Sequence, residues 1–293
     1  MKILVALVKA MRPLQWVKNI VIFAALVFDR QLGLNNLPPM FRAMLGFAIF
    51  CLLSGVVYLI NDMADIEADR RHPKKKKRPI ASGELPLPVA RGAAWTLIVV
   101  LFPLSYLLSP TFALVALVYL LQNIVYSKWL KHFHLLDVFS IALGFVLRVA
   151  AGVTLIQVAR FSPWLYVVTT LGSLYIGFGK RRAELALLAG EANLTRKVLD
   201  GYTIPMLDQY ITIAASTTII AYSLYTFSAP NLPANHVMML TIPFVLYGFF
   251  RYQFVLQSGT SGGAPEEVLM ADRPLQLTVL LWGASILLIF YIF

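Results

Sequence analysis

The sequence predicts an all-α, polytopic membrane protein, and three observations support this fold class. Hydrophobic residues make up 59% of the 293 residues and charged residues only 13%, about half of the charged share of soluble domains. The apolar residues form runs of about 20, the length of a helix that crosses a hydrocarbon core. The charged residues lie mainly between these runs. We therefore expect one transmembrane domain over residues 1–293.

Nine segments are long and apolar enough to span the membrane. They cover residues 14–34, 40–60, 88–108, 110–127, 135–158, 162–180, 206–228, 235–257 and 275–293. Pro38-Pro39 and Ser109-Pro110 mark two tight connections, since proline interrupts helices. The initial run MKILVALVKAM is too short for a signal peptide and predicts an interfacial helix before the first span.

The distribution of lysine and arginine predicts the orientation of these spans. With a cytoplasmic N-terminus, 21 of the 25 basic residues fall on the cytoplasmic side. The exceptions are Arg30, Arg42 and Arg160 on the opposite side and Arg148 within the fifth span. This bias predicts that the N-terminus is inside and the C-terminus outside. Because the basic residues lie between apolar spans, the net charge of +11 does not indicate a nucleic-acid partner.

Acidic residues also gather at the cytoplasmic ends of the spans, which the orientation rule does not explain. In NDMADIEAD, Asp62, Asp65 and Asp69 stand at i, i+3 and i+7, and a continuous helix would present them on one face beside Asn61. Oxygen ligands of this kind suit Mg²⁺, which completes its coordination with water and substrate phosphates. A solvated helix end that balances nearby lysines is the alternative. We expect the active site at the cytoplasmic face of the plasma (inner) membrane.

A basic run, RRHPKKKKRP, follows the acidic one. Lys74, Lys76 and Lys77 are interpreted as a topology anchor that attracts anionic lipid headgroups. His72 has no recognisable partner in the sequence and is interpreted as structural.

The pattern N-D-x-x-D-x-x-x-D at the end of the second span, followed by R-P-I-A-S-G from Arg78 to Gly83, resembles the UbiA superfamily of intramembrane prenyltransferases. The resemblance covers the whole chain and implies a bundle of nine helices. It also implies that Asp62 and Asp65 bind Mg²⁺ and, through it, a diphosphate, with Asn61, Asp69 and Arg78 in contact with the substrate.

The loop after the sixth span departs from the usual pattern of that superfamily, which has a second D-x-x-x-D motif there. This chain reads YIGFGKRRAE, with Lys180, Arg181 and Arg182 in place of carboxylates and Glu184 close behind. Arginine and lysine bind phosphate, so the ligand is expected to carry more phosphate than one diphosphate. Anchoring by positive charge is again the alternative.

This K-R-x-x-E core resembles the decaprenyl-phosphate phosphoribosyltransferase branch of the superfamily, although Tyr175 stands one residue further from Lys180 than in the branch pattern. RPLQWVKN (12–19) and ADRPLQL (271–277) support the resemblance. It implies 5-phosphoribosyl diphosphate (PRPP) as donor and a polyprenyl phosphate as acceptor. Lys18, Arg78, Lys180 and Arg181 would then bind the phosphates of PRPP, and Glu184 would orient a ribose hydroxyl or one of these cations.

In such a reaction the acceptor phosphate is already ionised, which fits a chain without a Ser/His/Asp or Cys/His arrangement. We predict Asp62, Asp65 and Lys180 as catalytic residues. Arg148 lies too far along its helix from Asp137 to pair with it, and it is expected either to hold the lipid phosphate or to brace the bundle. An ordinary prenyltransferase with an aromatic acceptor and a lipid-binding membrane protein or transporter are the competing functions. A homo-oligomer is compatible with the sequence.

Overall fold

A computed structural model of the chain describes residues 2–32, 37–73, 75–157, 163–188, 199–229, 232–258 and 265–292. Within these ranges every regular element is helical, as the sequence predicts. The α-helices are α1 Lys2–Ala10, α2 Ala24–Phe28, α3 Leu37–Ala64, α4 Ile66–Arg71, α5 Pro79–Ser82, α6 Leu87–Leu108, α7 Pro110–Lys128, α8 Leu136–Val153, α9 Pro163–Leu188, α10 Ile204–Ser228, α11 Ile242–Ser258, α12 Pro265–Ala271 and α13 Arg273–Ile292. Short 3₁₀ helices cover Lys75–Lys77, Leu130–His132 and Val237–Thr241, and a long one covers Pro13–Phe23.

Seven of the nine predicted spans correspond to described helices that are long and apolar enough to cross a membrane. They are α3, α6, α7, α8, α10, the continuous segment Val237–Ser258, and α13. Helix starts agree with the prolines in the sequence. Ser109, for example, caps α7 through its side chain and is followed by Pro110, which tolerates the first helical position because its missing N–H would have no partner there.

The predicted first span over 14–34 is not confirmed as a single α-helix among the described residues. Residues Pro13–Phe23 form a 3₁₀ helix, and only Ala24–Phe28 is α-helical. This segment meets α1 at a bend of 49°, and the two together are long enough for an eighth span. The bend follows from Arg12, whose φ of 54° and ψ of 67° end the helical path before Pro13.

The predicted span at 162–180 lies in α9, which is 26 residues long. It does not belong to the seven strongly apolar helices. Its last third carries Lys180, Arg181, Arg182 and Glu184, and charged residues are costly in a hydrocarbon core. The described residues therefore contain seven candidate spans, or eight with the bent pair at the N-terminus, and nine stays a prediction.

Contacts divide the chain into two compact units, residues 1–131 with 147–159 and residues 132–146 with 160–293. In the first unit α3 packs on α6, α7 and the long 3₁₀ helix, while α1 packs on α5. Its core contains Phe50, Leu59, Phe112 and Tyr119, all of them buried. This packing fixes the end of α3, where the acidic residues lie.

In the second unit α9 packs along α10, and α11 packs along α13. The core contains Phe178, Leu207 and Tyr252. Gly177 lets α9 approach the start of α8, because a methyl group at this position would overlap the side chain of Val138. The close approach also brings the start of α8 near the charged residues that follow Gly177 on α9.

Large apolar side chains are exposed along several of the seven apolar helices. On α6 these include Trp95, Val99 and Leu107, and on α13 Leu280. Apolar surface of this extent is not stable in water and is typical of a lipid-facing surface. The protein is a multi-pass membrane protein.

Candidate active site

The acidic segment lies where α3 ends and α4 begins. The sequence predicted Asp62, Asp65 and Asp69 on one face of a continuous helix, but the helix is interrupted at Asp65, whose φ is −98° and ψ 10°. Asp62 and Asp69 are buried, whereas the side chain of Asp65 is 31% exposed. The interruption separates the three carboxylates into a buried pair and a third that is partly exposed.

Arg78 joins the buried pair. One of its terminal nitrogens donates to Oδ2 of Asp69 at 2.6 Å and to Oδ1 of Asp62 at 3.2 Å. Arg78 occupies the position before α5, and Pro79 begins that helix, so the R-P-I-A-S-G motif places the guanidinium. The motif and the aspartates therefore form one structural feature.

Arg12 is the second cation on Asp62. Its Nη2 lies 2.5 Å from Oδ1 of Asp62, and its guanidinium carbon lies 4.6 Å from the centre of the Tyr58 ring. Sequence reasoning assigned no role to Arg12. The available signal was the R-P-L-Q sequence itself, in which a proline directly follows a basic residue.

Lys131 supplies a cation to Asp65. Its ammonium group lies 2.7 Å from Oδ1 and 3.0 Å from Oδ2. No motif in the sequence marks Lys131. Of the other predicted residues in this unit, Asn61 is half-buried in the last turn of α3, and Lys18 donates to Oε1 of Gln15 at 2.6 Å.

The carboxylates fit a bound divalent cation by the chemistry of their surroundings. Asp62 and Asp69 reach the same nitrogen of Arg78, so a cation already lies between them in the form of a guanidinium. Among the described residues, no three His, Cys, Asp or Glu side chains form a ready-made metal site. Mg²⁺ usually takes one or two carboxylates from a protein and completes its coordination with water and substrate phosphates.

A second charged cluster lies within the other unit, at the start of α8 and the end of α9. The Nε of Arg181 donates to Oδ2 of Asp137 at 2.5 Å, and its Nη1 donates to Oε2 of Glu184 at 2.5 Å. Arg181 and Asp137 are both buried. Two carboxylates neutralise Arg181 in this structure, and its predicted contact with a substrate phosphate stays a prediction. Glu184 contacts Arg181, one of the cations that it was predicted to orient.

Tyr202 completes this cluster. Its hydroxyl accepts a hydrogen bond from the backbone N–H of Leu135 at 2.7 Å and donates to Oδ1 of Asp137 at 3.3 Å. Burial raises the pKa of Tyr202 to about 12, so the hydroxyl stays protonated and keeps donating. Both oxygens of Asp137 therefore have partners, as a buried carboxylate requires.

The two residues next to Arg181 in the sequence, Lys180 and Arg182, have different surroundings from it. Arg182 pairs with Asp208 at 2.5 Å. Lys180 is half-exposed and forms no side-chain hydrogen bond or ion pair with the described residues. Of these three consecutive cations, Lys180 is the one whose charge is not balanced by a described carboxylate.

Tyr175 is part of the core of the second unit. Its hydroxyl donates to the carbonyl of Phe249 at 2.7 Å, and its ring packs on the rings of Phe249 and Tyr252. The predicted contact of Tyr175 with substrate stays a prediction, and in this structure its hydroxyl donates its proton within the protein.

Arg148 lies in a buried polar network of the first unit. Its Nε donates to Oδ1 of Asn19 at 2.7 Å, and its Nη2 donates to the hydroxyl of Tyr119 at 2.8 Å. Ser54 lies 3.3 Å from both of these oxygens. Of the two predicted roles, the network favours bracing of the helices. Its distance along α8 from Asp137 agrees with the prediction, since Asp137 pairs with Arg181 instead.

The fold and this chemistry define an α-helical membrane protein that carries buried carboxylates, matched by cations, at the end of a spanning helix. The chain matches the UbiA prenyltransferase family over residues 20–264. It belongs to that family.

Two curated relatives are similar over almost the whole chain. A decaprenyl-phosphate phosphoribosyltransferase from Corynebacterium glutamicum is 35% identical, with 98% of this chain and 87% of the relative covered. A protein of the same description from Mycolicibacterium smegmatis is also 35% identical, with 96% and 91% covered. The resemblance to the UbiA superfamily inferred from the motifs is confirmed.

Solved structures show the same fold. A UbiA homologue from Archaeoglobus fulgidus bound to DMAPP and Mg²⁺ has a TM-score of 0.72, with 17% identity, and covers 98% of this chain and 99% of its own. The same homologue bound to GPP and Mg²⁺ also has a TM-score of 0.72. At this identity the likeness establishes the fold.

Proposed function

We propose that this protein transfers the 5-phosphoribosyl group from PRPP to a polyprenyl phosphate of the decaprenyl type, with Mg²⁺ as cofactor. The observation that carries the proposal is the similarity, over nearly the full length, to two proteins described as decaprenyl-phosphate phosphoribosyltransferases. The presence of charged residues of both signs supports it, because PRPP carries a diphosphate and a separate 5-phosphate. Carboxylates suit the metal-bound diphosphate, and cations suit the phosphates.

In the proposed reaction, the bond between C1 of the ribose and the diphosphate oxygen breaks, and the diphosphate leaves with the electron pair. A new bond forms between C1 and a phosphate oxygen of the lipid. Positive charge develops on the ribose as the first bond lengthens, as in other glycosyl transfers. The attacking phosphate is ionised at neutral pH, so no general base is required.

When bound, Mg²⁺ would neutralise the charge that develops on the leaving diphosphate. Asp62 and Asp65 are the residues proposed to hold it, as predicted from the motif. Asp69 holds Arg78 in place through the 2.6 Å hydrogen bond, so that this guanidinium stays close to Asp62 and can also receive a phosphate oxygen. Because Asp62 and Asp69 are buried, these interactions lie in an environment of low dielectric constant, which strengthens them.

Lys180 is the proposed contact for the 5-phosphate, because its charge is not balanced by a described carboxylate. Arg181 receives a different role from the predicted one. Held by Asp137 and Glu184, it fixes the helical turn on which Lys180 stands and is a positioning residue. Lys18 is proposed as a further phosphate contact.

The site is proposed to face the cytoplasm, on the basis of the distribution of basic residues. Labelling of single cysteines in a Cys51→Ser background tests this orientation. Ser82 and Thr111 are both exposed and lie at opposite ends of the predicted topology. A membrane-impermeant thiol reagent applied to sealed cells should label Thr111→Cys and leave Ser82→Cys unlabelled until the cells are opened. The reverse pattern would overturn the orientation.

The donor is tested with purified protein in detergent and Mg²⁺. One reaction contains labelled PRPP and a polyprenyl phosphate, and the other contains a prenyl diphosphate and an aromatic acceptor. We expect a phosphoribosylated lipid from the first and no product from the second. Transfer of the prenyl group with no use of PRPP would replace the proposal with the ordinary prenyltransferase activity of the family.

A further inference from the structure

The 3₁₀ helix Pro13–Phe23 is unusual in its length. It has 11 residues, whereas 3₁₀ helices longer than three or four residues are uncommon. Because such a helix has three residues per turn, side chains at i and i+3 lie in one row. In an α-helix, residues six positions apart would instead lie roughly 120° apart around the axis.

The sequence follows this three-residue period. Leu14, Val17 and Ile20 form one row, and all three are exposed and apolar. Gln15 and Lys18 are half-buried and polar, and Arg12 lies immediately before the helix, three positions ahead of Gln15. The 3₁₀ geometry therefore places Gln15 and Lys18 in one row, which Val21 continues, and separates them from an apolar row suited to lipid.

Hydrogen bonds connect this polar row. The backbone N–H of Gln15 donates to the carbonyl of Arg12 at 2.9 Å, and Lys18 donates to the side chain of Gln15 at 2.6 Å. Arg12 itself has positive φ, a conformation uncommon for any residue except glycine, Asn and Asp. Such backbone strain is typical of functional sites.

Arg12 also contacts Asp62, the candidate metal ligand. Oδ1 of Asp62 accepts hydrogen bonds from both Arg12 and Arg78, so a metal ion bound at this oxygen would compete with these two cations. Arg78 keeps a shorter contact with Asp69. Within the described part of the chain, Asp62 is the carboxylate with which Arg12 pairs. Without Asp62, Arg78 would keep a carboxylate partner in Asp69, whereas Arg12 would keep only its contact with the Tyr58 ring among the interactions described above.

We propose that Arg12 is an exchange residue. It neutralises Asp62 before the metal binds, and it moves to a phosphate oxygen of the donor when the metal takes the carboxylate. The proposal rests on the proposed function in one respect, that Asp62 holds the metal. It predicts that the metal alone binds weakly and that diphosphate strengthens its binding, because the released guanidinium then gains a partner. By linkage, metal and diphosphate strengthen one another equally.

Binding of Mn²⁺ to the purified full-length protein in detergent, measured by electron paramagnetic resonance, tests the exchange without substrate or turnover. Arg12→Gln should bind Mn²⁺ about tenfold more tightly than the wild type, because a competing charge-assisted hydrogen bond has been removed. Arg91→Gln is the matched control. It removes one exposed arginine of α6 and should bind Mn²⁺ as the wild type does.

Adding inorganic diphosphate gives the second measurement. Diphosphate should raise the affinity of the wild type for Mn²⁺ by a larger factor than that of Arg12→Gln, which lacks the group that moves. Equal or weaker binding of Mn²⁺ by Arg12→Gln in the absence of diphosphate would overturn the exchange. If Arg12→Gln does not fold, Arg12→Lys replaces it, since a shorter and more weakly positioned cation should also give tighter binding than the wild type; unchanged binding would count against the proposal.

Failure of the exchange and failure of the proposed function are distinguishable. Asp62→Asn should lose most Mn²⁺ binding, and unchanged binding in that variant would remove the metal role and the exchange together. None of these probes contains ribose or lipid, so a donor other than PRPP would leave the result for Arg12 in place.

Discussion

Arg181 and Asp137 form a buried ion pair in which Nε of the arginine lies 2.5 Å from Oδ2 of the aspartate. The two residues are 44 positions apart in the chain, and the side chains are 1% and 0% exposed. Glu184 and Tyr202 provide further partners. An ion pair that is satisfied in this way joins the start of α8 to the end of α9.

Removal of one partner should destabilise the protein strongly. Arg181→Met leaves Asp137 buried without its cation, a change that costs about 3–5 kcal/mol in comparable pairs. Thermal unfolding in detergent should show a large fall in the melting temperature. Arg182→Met is the matched control on the next residue, where the pair with Asp208 is partly exposed and is worth about 0–1 kcal/mol. The double variant Arg181→Met, Asp137→Leu should recover much of the loss. Equal stability of the two single variants would contradict the interpretation.

Replacement of Lys180 should weaken binding of the donor PRPP and leave the fold unchanged. Charge-assisted hydrogen bonds are worth roughly 1.5–3 kcal/mol, so Lys180→Ala should raise the KM for PRPP about ten- to a hundredfold. The KM for the lipid phosphate and the melting temperature should stay close to those of the wild type. Lys76→Ala, which removes an exposed lysine of the basic run, is the control and should change neither KM. A change confined to the KM for the lipid phosphate would assign Lys180 to the binding of the acceptor.

Asp62 should be essential for turnover. Asp62→Asn should lower activity by more than about a hundredfold, since Lewis-acid stabilisation by a metal is worth several kcal/mol. Removal of the metal with EDTA should lower the activity of the wild type in the same way, and added Mg²⁺ should restore that activity. Glu67→Gln is a control from the same acidic segment, because Glu67 is exposed and pairs only with Arg70 among the described residues. Full activity of Asp62→Asn would reject the metal role.

Asp272 should make stability depend on pH at the start of α13. The carboxylate accepts hydrogen bonds from Arg251 and from the backbone N–H of Leu275, and the bond with Arg251 lowers the pKa of Asp272. A lowered pKa in the folded state gives stability that is present above the ordinary pKa of about 3.9 and lost as the pH falls below it. The difference in melting temperature between the wild type and Asp272→Asn should be full at pH 6 and shrink below pH 4. A difference that grows as the pH falls would have the wrong sign.

The sequence by itself determined the features that depend on local order. Seven apolar helices, their proline-marked ends and the acidic segment at the end of α3 follow from runs and spacings along the chain. Hydropathy and helix signals act over one or two turns, so they can be read without the fold. The family was also accessible, because its motifs are short and continuous.

Only the tertiary structure decided which charges meet. Arg12 reaches Asp62 across 50 residues, and Lys131 reaches Asp65 across 66. Nothing in the spacing of the sequence specifies such partners. Lys180 and Arg181 give the same signal in the sequence, yet they point about 100° apart on α9. The packing of that helix therefore buries Arg181 against Asp137 and leaves Lys180 half-exposed.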